Sequence, residues 1–371
     1  MNWKHSLNRL VGPGFLRGLL LSDLVEMLRQ NRFQVSPSRL FKLPSSLVLS
    51  LLQTAMVPIE RAFHQSGWED QCVERPIFVV GMGRSGTTHL HHLLSQDPRF
   101  FCCREFDVSF PHTFLTTKKV VSALISPFVP GTRLQDGVRV GLDVPAEDEM
   151  AYINLVGLSP FLGRVFPRNW GHYSRYRSFD DVPEAELLRW KASVLQFARK
   201  LHYHYDGQQL LMKTPAHIAR IHHLSSVFPD ALFVHIRRHP RAVLRSKLHA
   251  VRLIDEHFNL QTFDPKSQIE RLVDDFATDA RVFLRERELL PPGRLYELTF
   301  EELLDDRLGE IKKIYEAFSL DFSPQVRERL ETYVAGLRHY QMNKHEALPP
   351  KLVELFNARC GDWLEFYDYT L

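Results

Sequence analysis

The chain has few cysteines and no strong excess of charge of either sign. Its 371 residues include four cysteines, and none stands at C-x-x-C or zinc-ligand spacing. Lysine and arginine number 47 against 44 acidic residues, which gives a net charge of +3. Nothing here requires an oxidising compartment or indicates a general nucleic-acid coat. We therefore predict a cytoplasmic protein that binds no nucleic acid.

The chain also lacks an uncharged apolar run of clear membrane-span length. Charges at residues 17–29 interrupt any leader-like stretch, so we expect no secretory signal. Residues 43–59 are uncharged and rich in leucine, but Pro44, Gln53 and Pro58 interrupt a run that is already shorter than the ~20 residues of a span. We predict a buried helix packed on a sheet and no transmembrane span. A face that rests on a membrane, or that lines the path of an apolar acceptor, is the alternative.

The strongest motif is a glycine-rich turn between a strand and a helix. Residues 75–94 read RPIFVVGMGRSGTTHLHHLL. The apolar, β-branched run at 77–80 predicts a strand that is buried on both faces, and leucines at helical spacing follow the glycines. In such a layout the backbone N–H groups close around an anion, and the start of the helix adds partial positive charge.

The turn nearly matches the nucleotide-binding pattern G-x-x-x-x-G-K-[ST], but it lacks the lysine. Gly81 and Gly86 are in register, while Thr87 occupies the lysine position. That lysine neutralises β- and γ-phosphates, so its absence argues against chemistry at a γ-phosphate. The cation is Arg84, whose fork can hold two oxygens of one anion. We predict a site for a compact anion, against the alternative of a turn that binds nothing. Three hydroxyl groups would add donors: Ser85, Thr87 and Thr88.

The pattern G-x-G-R-S-G-T-T before an apolar helix resembles the 5′-phosphosulfate loop of the sulfotransferases. These enzymes use 3′-phosphoadenosine 5′-phosphosulfate (PAPS) as sulfuryl donor. Arginine at position 84 is similar to the branch that contains many bacterial sulfotransferases and the tyrosylprotein enzymes. The resemblance implies that Gly83 and the run from Arg84 through Gly86 to Thr88 grip the 5′-phosphosulfate. It implies no metal, since fixed cations and backbone donors take that role.

A second motif lies at residues 231–246. Residues 231–238 read ALFVHIRR, and the run from Leu232 to Ile236 predicts a buried strand that leads into Arg238; Ser246 follows Arg238 by eight residues. In the sulfotransferases an arginine at such a strand end and a serine eight residues on hold the 3′-phosphate of the donor. A second dianion needs its own fixed cation and hydroxyl. A basic strand end on the surface is the alternative, but the two motifs are independent and are far more specific together.

Glu105 is the candidate general base. It follows a predicted strand at 98–103, and active-site residues of open α/β sheets lie beyond the carboxyl ends of strands. Burial would raise the pKa of this carboxyl toward neutrality. In the tyrosylprotein sulfotransferases a glutamate just after this strand is the base, and Glu105 matches that position. The alternatives are a surface glutamate paired with Arg104, or His112 or His89 as the base.

Two softer matches complete the predicted site. Lys213, Pro215 and His217 resemble a K-x-P-x-H pattern of the bacterial branch, and Lys213 at a strand end would reach the transferring sulfuryl group. Residues 299–303 resemble the Y-E-x-L segment that comes close to the adenine. Phe300 holds its aromatic position without the hydroxyl, so that stacking would survive. A core phenylalanine is the alternative.

These observations predict an α/β, P-loop NTPase-like three-layer fold with a mostly parallel sheet of about five strands flanked by helices. Residues 1–74 would form a helical N-terminal extension packed on the main domain, and residues 75–371 the sulfotransferase domain. The predicted reaction moves a sulfuryl group from PAPS to a hydroxyl or amine. A small molecule, lipid, glycan or peptide acceptor stays open, and so does peripheral membrane contact. The alternatives are a P-loop kinase and a non-catalytic nucleotide-binding protein.

Overall fold

The structure is a computed structural model that describes residues 14–125, 141–262, 267–337 and 347–371. The chain divides into two compact units. The first comprises residues up to 72, 103–206 and 250–264, and the second comprises 73–102, 207–249 and 265–371. The predicted domain boundary between residues 74 and 75 stays a prediction.

The second unit contains a five-stranded, wholly parallel sheet with the strand order β2-β3-β1-β4-β5. The strands are β1 (Ile77–Val80), β2 (Phe100–Phe101), β3 (Gln209–Lys213), β4 (Leu232–Arg237) and β5 (Leu295–Thr299). The α/β prediction is confirmed. The strand predicted at 98–103 is shorter than expected, since only two of its residues pair with β3.

Helices make up most of the remaining described chain. They are α1 (Leu21–Gln30), α2 (Leu43–Glu69), α3 (Thr87–Leu94), α4 (Glu105–Ser109), α5 (Phe114–Ile125), α6 (Glu149–Val156), α7 (Leu162–Val165), α8 (Trp170–Ser174), α9 (Glu184–His204), α10 (Ile221–Val227), α11 (Pro240–Phe258), α12 (Ser267–Glu286), α13 (Phe300–Asp305), α14 (Arg307–Ala317), α15 (Pro324–Gly336), α16 (Pro350–Arg359) and α17 (Gly361–Phe366). Short 3-10 turns connect several of them, including Pro37–Lys42 before α2 and Pro215–Ala219 after β3.

The sheet has a continuous apolar core. All four side chains of β1 are buried, as expected for a parallel strand covered on both faces. Leu90, Leu93 and Leu94 on α3 pack into the same core with side chains of β4 and of α14. Because the strands are parallel, their carboxyl ends meet at one edge, which is where ligands bind in open α/β sheets.

Helix α2, in the first unit, departs from the prediction. Its buried residues are polar (Ser46, Ser50, Gln53 and Glu60), whereas Leu47, Leu51 and Leu52 are exposed. The prediction of a buried apolar helix is therefore wrong. Within the described residues, the helical run Pro37–Glu69 is long and apolar enough to cross a membrane by length and composition, with 22% of its most apolar window buried.

Candidate active site

The predicted anion-binding turn joins β1 to α3. Gly86 precedes the helix with φ of +108°, and Arg84 has φ of +78°. An arginine in this left-handed region is strained, and such strain concentrates at ligand-binding turns. The Ser85 hydroxyl donates to the backbone carbonyl oxygen of Ile236 at 2.8 Å, which fixes the turn to β4. Ser85 is fully buried and anchors the turn, while Gly83 and Arg84 stay partly exposed.

Gly86 lies against the ring of Phe300. A Cβ atom placed on Gly86 would overlap Cδ2 of that ring, and Cε2 would stand 2.9 Å away. Phe300 is the first residue of α13, immediately after β5, and the N-terminus of that helix is closed by a capping box between Thr299 and Glu302. The end of β5 therefore abuts the turn after β1, at a position where only glycine fits.

The two anion-binding motifs meet in this structure. The Arg84 Nε donates to the Ser246 hydroxyl at 2.9 Å, although the two residues are 162 positions apart in the chain. Ser246 lies on α11, and its side chain is nearly buried. Ser246, which was predicted to hold the 3′-phosphate, and Arg84, which was predicted to hold the 5′-phosphosulfate, are therefore direct neighbours.

Arg238 follows the last residue of β4 at the same edge of the sheet. Its guanidinium carbon lies 4.4 Å from the centroid of the Phe300 ring, within the range of a cation–π contact. Phe300 is 9% exposed and belongs to the apolar core. The ring therefore supports Arg238 on one side and the Gly86 turn on another, and its predicted stacking on adenine stays a prediction.

Lys213 is the last residue of β3 and is buried, with 3% exposure. Its Nζ donates to the Thr88 hydroxyl at 3.4 Å. Because β3 pairs directly with β1, the ends of the two strands place this ammonium group beside the first turn of α3. Thr87, one residue earlier on that helix, is likewise buried.

Lys247 is a further cation beside the turn, and it was not identified from the sequence. A Cβ atom at Gly83 would stand 3.6 Å from Lys247 Cε and 3.7 Å from Pro215 Cβ. The only sequence signal was its place next to Ser246 on a helix. Arg84, Arg238, Lys213 and Lys247 therefore give this edge of the second unit a concentration of positive charge.

The C-terminal residues hold the end of β4. Arg237 donates from Nη1 to the Tyr369 hydroxyl at 3.0 Å, and its guanidinium carbon lies 4.7 Å from the centroid of the Tyr367 ring. Arg237 immediately precedes Arg238, so these contacts fix the backbone from which Arg238 extends. Neither tyrosine belongs to a motif that the sequence reveals.

Glu105 belongs to the first unit, where it is half-buried as the first residue of α4. Its backbone N–H donates to the Val144 carbonyl at 3.1 Å. Arg17 is half-buried in the same unit; desolvation lowers the pKa of its guanidinium, and the charge of Glu105 acts to raise it. The carboxylate thus has a cationic neighbour.

The two histidines named as alternative bases have strongly shifted pKa values. Burial lowers the pKa of His112 to about 4, and its Nε2 lies 3.0 Å from the Asn154 carbonyl. Burial and the nearby Arg307 charge lower the pKa of His89 to about 4, and Arg307 Nε lies 3.3 Å from the His89 Nε2. Both rings are therefore neutral at pH 7 and bind protons weakly.

The chemistry of this edge is that of a site for anions. Cationic side chains, a helix N-terminus and hydroxyl groups converge on it, which is the combination that holds phosphate or sulfate groups. Within the ranges that the structure describes, no group of three or more histidine, cysteine or acidic side chains is arranged to hold a metal.

Two mycobacterial enzymes are similar to this chain over nearly its whole length. The omega-hydroxy-beta-dihydromenaquinone-9 sulfotransferases Stf3 of Mycobacterium bovis and Mycobacterium tuberculosis are each 30% identical over 356 residues, which is 95% of this chain and 90% of the relative. Among solved structures, sulfotransferase STF9 from Mycobacterium avium has a TM-score of 0.68 at 20% identity and covers 94% of this chain and 91% of that one. Sulfotransferase STF1 from Mycobacterium tuberculosis has a TM-score of 0.62 at 19% identity, with coverage of 91% and 90%.

The model of the sulfotransferase family matches residues 76–324, the segment that contains both anion-binding motifs. The two solved structures share the fold, and the mycobacterial relatives match well beyond this segment. This protein belongs to the sulfotransferase family and is a sulfotransferase enzyme.

Proposed function

We propose that the sulfuryl donor is PAPS and that both motifs bind it at once. The observation that carries this proposal is the hydrogen bond of 2.9 Å between Arg84 and Ser246. A donor with a phosphate and a phosphosulfate on one ribose needs two neighbouring anion sites, and the bond makes the two motifs neighbours. Gly83, Arg84 and the first turn of α3 would take the 5′-phosphosulfate, while Arg238 and Ser246 would take the 3′-phosphate.

In this proposal the transfer is direct and in line. The acceptor hydroxyl oxygen bonds to sulfur, the bond from sulfur to the 5′-phosphate oxygen breaks, and the product nucleotide is 3′-phosphoadenosine 5′-phosphate. Arg84 and Lys213 would stabilise negative charge on the transferring group and on the leaving phosphate. Ser85 would act by holding the turn on β4, since its hydroxyl already donates to Ile236.

Glu105 is the proposed base that removes the acceptor proton. Burial lowers the pKa values of the alternatives, His112 and His89, to about 4, which removes the near-neutral pKa that usually favours histidine as a base. The test is Glu105→Gln. We expect a fall of 10²- to 10⁴-fold in turnover with the affinity for 3′-phosphoadenosine 5′-phosphate unchanged. Unchanged turnover would exclude Glu105 as the base.

We further propose that the acceptor is the hydroxyl group of an apolar, polyisoprenoid lipid, and that the enzyme works in the cytoplasm. The similarity that supports the lipid acceptor is with enzymes named for omega-hydroxy-beta-dihydromenaquinone-9. The assay would supply labelled PAPS with an omega-hydroxylated menaquinone in detergent micelles, beside a sugar and a tyrosine peptide. Transfer to the lipid alone is expected, and transfer only to the sugar or the peptide would contradict the acceptor proposal.

Calorimetry with nucleotides tests the donor proposal. Binding of 3′-phosphoadenosine 5′-phosphate should be at least tenfold tighter than binding of ADP, AMP or ATP. The variant Arg238→Ala should lose this preference, since a charge-assisted hydrogen bond to phosphate would be removed. Arg241→Ala is the matched control, because Arg241 is exposed three residues further along the chain. Equal affinity for ADP and 3′-phosphoadenosine 5′-phosphate in the unaltered protein would contradict the proposal.

A further inference from the structure

Helix α2 presents its polar side to the protein and its apolar side to solvent. Two of its inward side chains make specific polar contacts within the first unit. Gln53 Oε1 accepts a hydrogen bond of 2.6 Å from the Thr113 hydroxyl, and Glu60 forms a buried ion pair of 2.7 Å with Lys200. These contacts fix the rotation of the helix about its axis.

The outward side of α2 is an apolar stripe. Large side chains recur three or four positions apart along it and are between 38% and 75% exposed: Leu47, Val48, Leu51, Leu52, Ile59 and Phe63. A helix on the surface of a water-exposed protein shows the opposite pattern, with charged residues on its outer side. The reversal indicates a surface whose normal environment is apolar.

Helix α5 extends the stripe. The Glu60 carboxylate accepts a hydrogen bond of 2.8 Å from the Thr116 backbone N–H in the first turn of α5, so the two helices are joined. Val120 and Leu124 on α5 are 65% and 67% exposed. We define the apolar face as the six α2 residues named above together with Val120 and Leu124.

The charged side chains that border this face include two lysines of α5. No charged residue occurs between 43 and 59, and Lys119 is exposed on α5. A concave region of about 780 Å³ opens beside Ile59 and Phe63 and is also lined by Lys118, Lys119 and Asp143. Lys118 forms ion pairs with Asp107 and with Asp143. Lys119 is therefore the group suited to an anionic headgroup.

The composition of the face favours lipid over a protein partner. Energetically important protein–protein contacts are enriched in tryptophan, tyrosine and arginine and poor in leucine and valine, whereas leucine and valine supply six of the eight residues here. An apolar stripe flanked by cations is typical of helices that lie in a membrane interface. The inward contacts of Gln53 and Glu60 would be lost if α2 crossed a bilayer, so these contacts favour a helix that lies on a membrane over one that spans it.

We propose that the apolar face docks on a bilayer containing anionic phospholipid. The leucines and valines of α2 and α5 enter the acyl boundary, and Lys119 meets headgroup phosphates. This docking is independent of the donor and acceptor assignments.

The test is flotation of the full chain with vesicles of phosphatidylcholine, with or without phosphatidylglycerol. We expect binding to the anionic vesicles and at least a tenfold loss in V48Q/L51Q/L52Q, whose replaced side chains are exposed. The matched control is L188Q/L289Q, which makes the same change at leucines 56% and 60% exposed outside the face, and it should bind like the unaltered chain. Lys119→Glu should weaken binding about fivefold on anionic vesicles only.

Circular dichroism and the thermal midpoint verify that each variant is folded. The proposal is overturned if the unaltered chain binds neither vesicle, or if V48Q/L51Q/L52Q floats as well as the unaltered chain. It is also overturned if light scattering shows a dimer that this variant converts to a monomer while vesicle binding is absent, since a second copy would then cover the face.

Discussion

Gly86 illustrates how a single residue is fixed by two separate constraints. Its φ of +108° lies in the left-handed region, and the Phe300 ring fills the space where a Cβ atom would be. Gly293 has a similar φ of +78° but no neighbouring atom within 4 Å of the Cβ position. Alanine at Gly293 would therefore add backbone strain alone, whereas alanine at Gly86 would add both strain and overlap with the Phe300 ring.

We predict that Gly86→Ala reduces the free energy of unfolding by about 2–4 kcal/mol, whereas Gly293→Ala costs about 1 kcal/mol. Urea denaturation measures both. In a protein that already carries Phe300→Ala, the substitution Gly86→Ala should reduce the free energy of unfolding by less than it does in the unaltered protein, because the overlap is gone. Equal losses in the two glycine variants would show that overlap with Phe300 contributes nothing.

His112 makes stability depend on pH. Its folded-state pKa of about 4, lowered by burial, lies below the unfolded value near 6.5, so the unfolded chain binds more protons between these values. Stability contributed by the neutral ring is complete above pH 6.5 and is lost as the pH falls toward 4. Between pH 7 and pH 5 this loss is about 2 kcal/mol.

The variant His112→Gln should remove about 2 kcal/mol of the difference in unfolding free energy between pH 7 and pH 5, as measured by urea denaturation. His249→Gln, at an exposed histidine, is the control and should keep the full difference. If His112→Gln retains the full difference as well, the buried ring does not cause it.

Some candidate residues could be named from the sequence, but their contacts could not. Arg84, Ser246 and Arg238 were predicted because motif spacing is local and sharp, and their roles stay predictions. The Ser85 hydroxyl donates to Ile236, 151 positions away, and a local motif carries no information about such a partner. Lys247 and Tyr369 were missed for the same reason, since their neighbours at the site come from other strands and loops.

At the scale of elements, the Glu60–Lys200 pair links α2 to α9 inside the first unit. Both side chains are at most 3% exposed, and burial lowers the pKa of Lys200. Lys200 also donates to the backbone carbonyls of Pro111 and His112 at 2.8 and 3.1 Å. Removing the carboxylate would leave a buried ammonium group without its counter-ion.

We predict that Glu60→Gln reduces the free energy of unfolding by about 3–5 kcal/mol and that E60Q/K200M recovers most of this loss. Glu331→Gln is the surface control, because Glu331 pairs with Arg327 at exposed positions, and it should cost less than about 1 kcal/mol. Denaturant midpoints measure all three variants. A double variant no more stable than Glu60→Gln alone would show that the unpaired charge is not the cause.

The strands were predictable because β1 and β3 contain apolar runs that end at a glycine turn or a lysine, and β4 is apolar up to its last residue except for His235. The predicted β2 was too long, since its side chains are apolar beyond the two residues that pair with β3. Helix α2 was misread for a different reason. An uncharged leucine run predicts burial, and its polar positions gave no sign that Gln53 and Glu60, rather than the leucines, would face the protein.

At the scale of the whole molecule, the parallel sheet gathers the donor-binding groups. Residues from four separate segments of the chain follow β1, β3, β4 and β5 and meet at one edge of the second unit. The fold class and this edge were predictable from the sequence, because the motif order fixes a parallel arrangement. The division of the chain into two units, each made of three separate segments, was not predictable, since it depends on packing between segments that are far apart in the chain.

A ligand that binds this edge should stabilise the folded chain by mass action. At a concentration 100 times its dissociation constant, 3′-phosphoadenosine 5′-phosphate should raise the free energy of unfolding by about 2.7 kcal/mol. The thermal midpoint should rise accordingly, and it should rise by a clearly smaller amount in Arg238→Ala at the same concentration, since weaker binding stabilises less. A rise of equal size with ADP would indicate that the 3′-phosphate is not recognised.

The central claim is that the two anion-binding motifs hold the two ends of one nucleotide. An experimental structure of the complex with 3′-phosphoadenosine 5′-phosphate tests it most directly. We predict the 5′-phosphate at Arg84 and the first N–H groups of α3, with the 3′-phosphate within hydrogen-bond distance of Arg238 and Ser246. A nucleotide bound elsewhere, or one whose 3′-phosphate makes no contact with Arg238 or Ser246, would contradict the account.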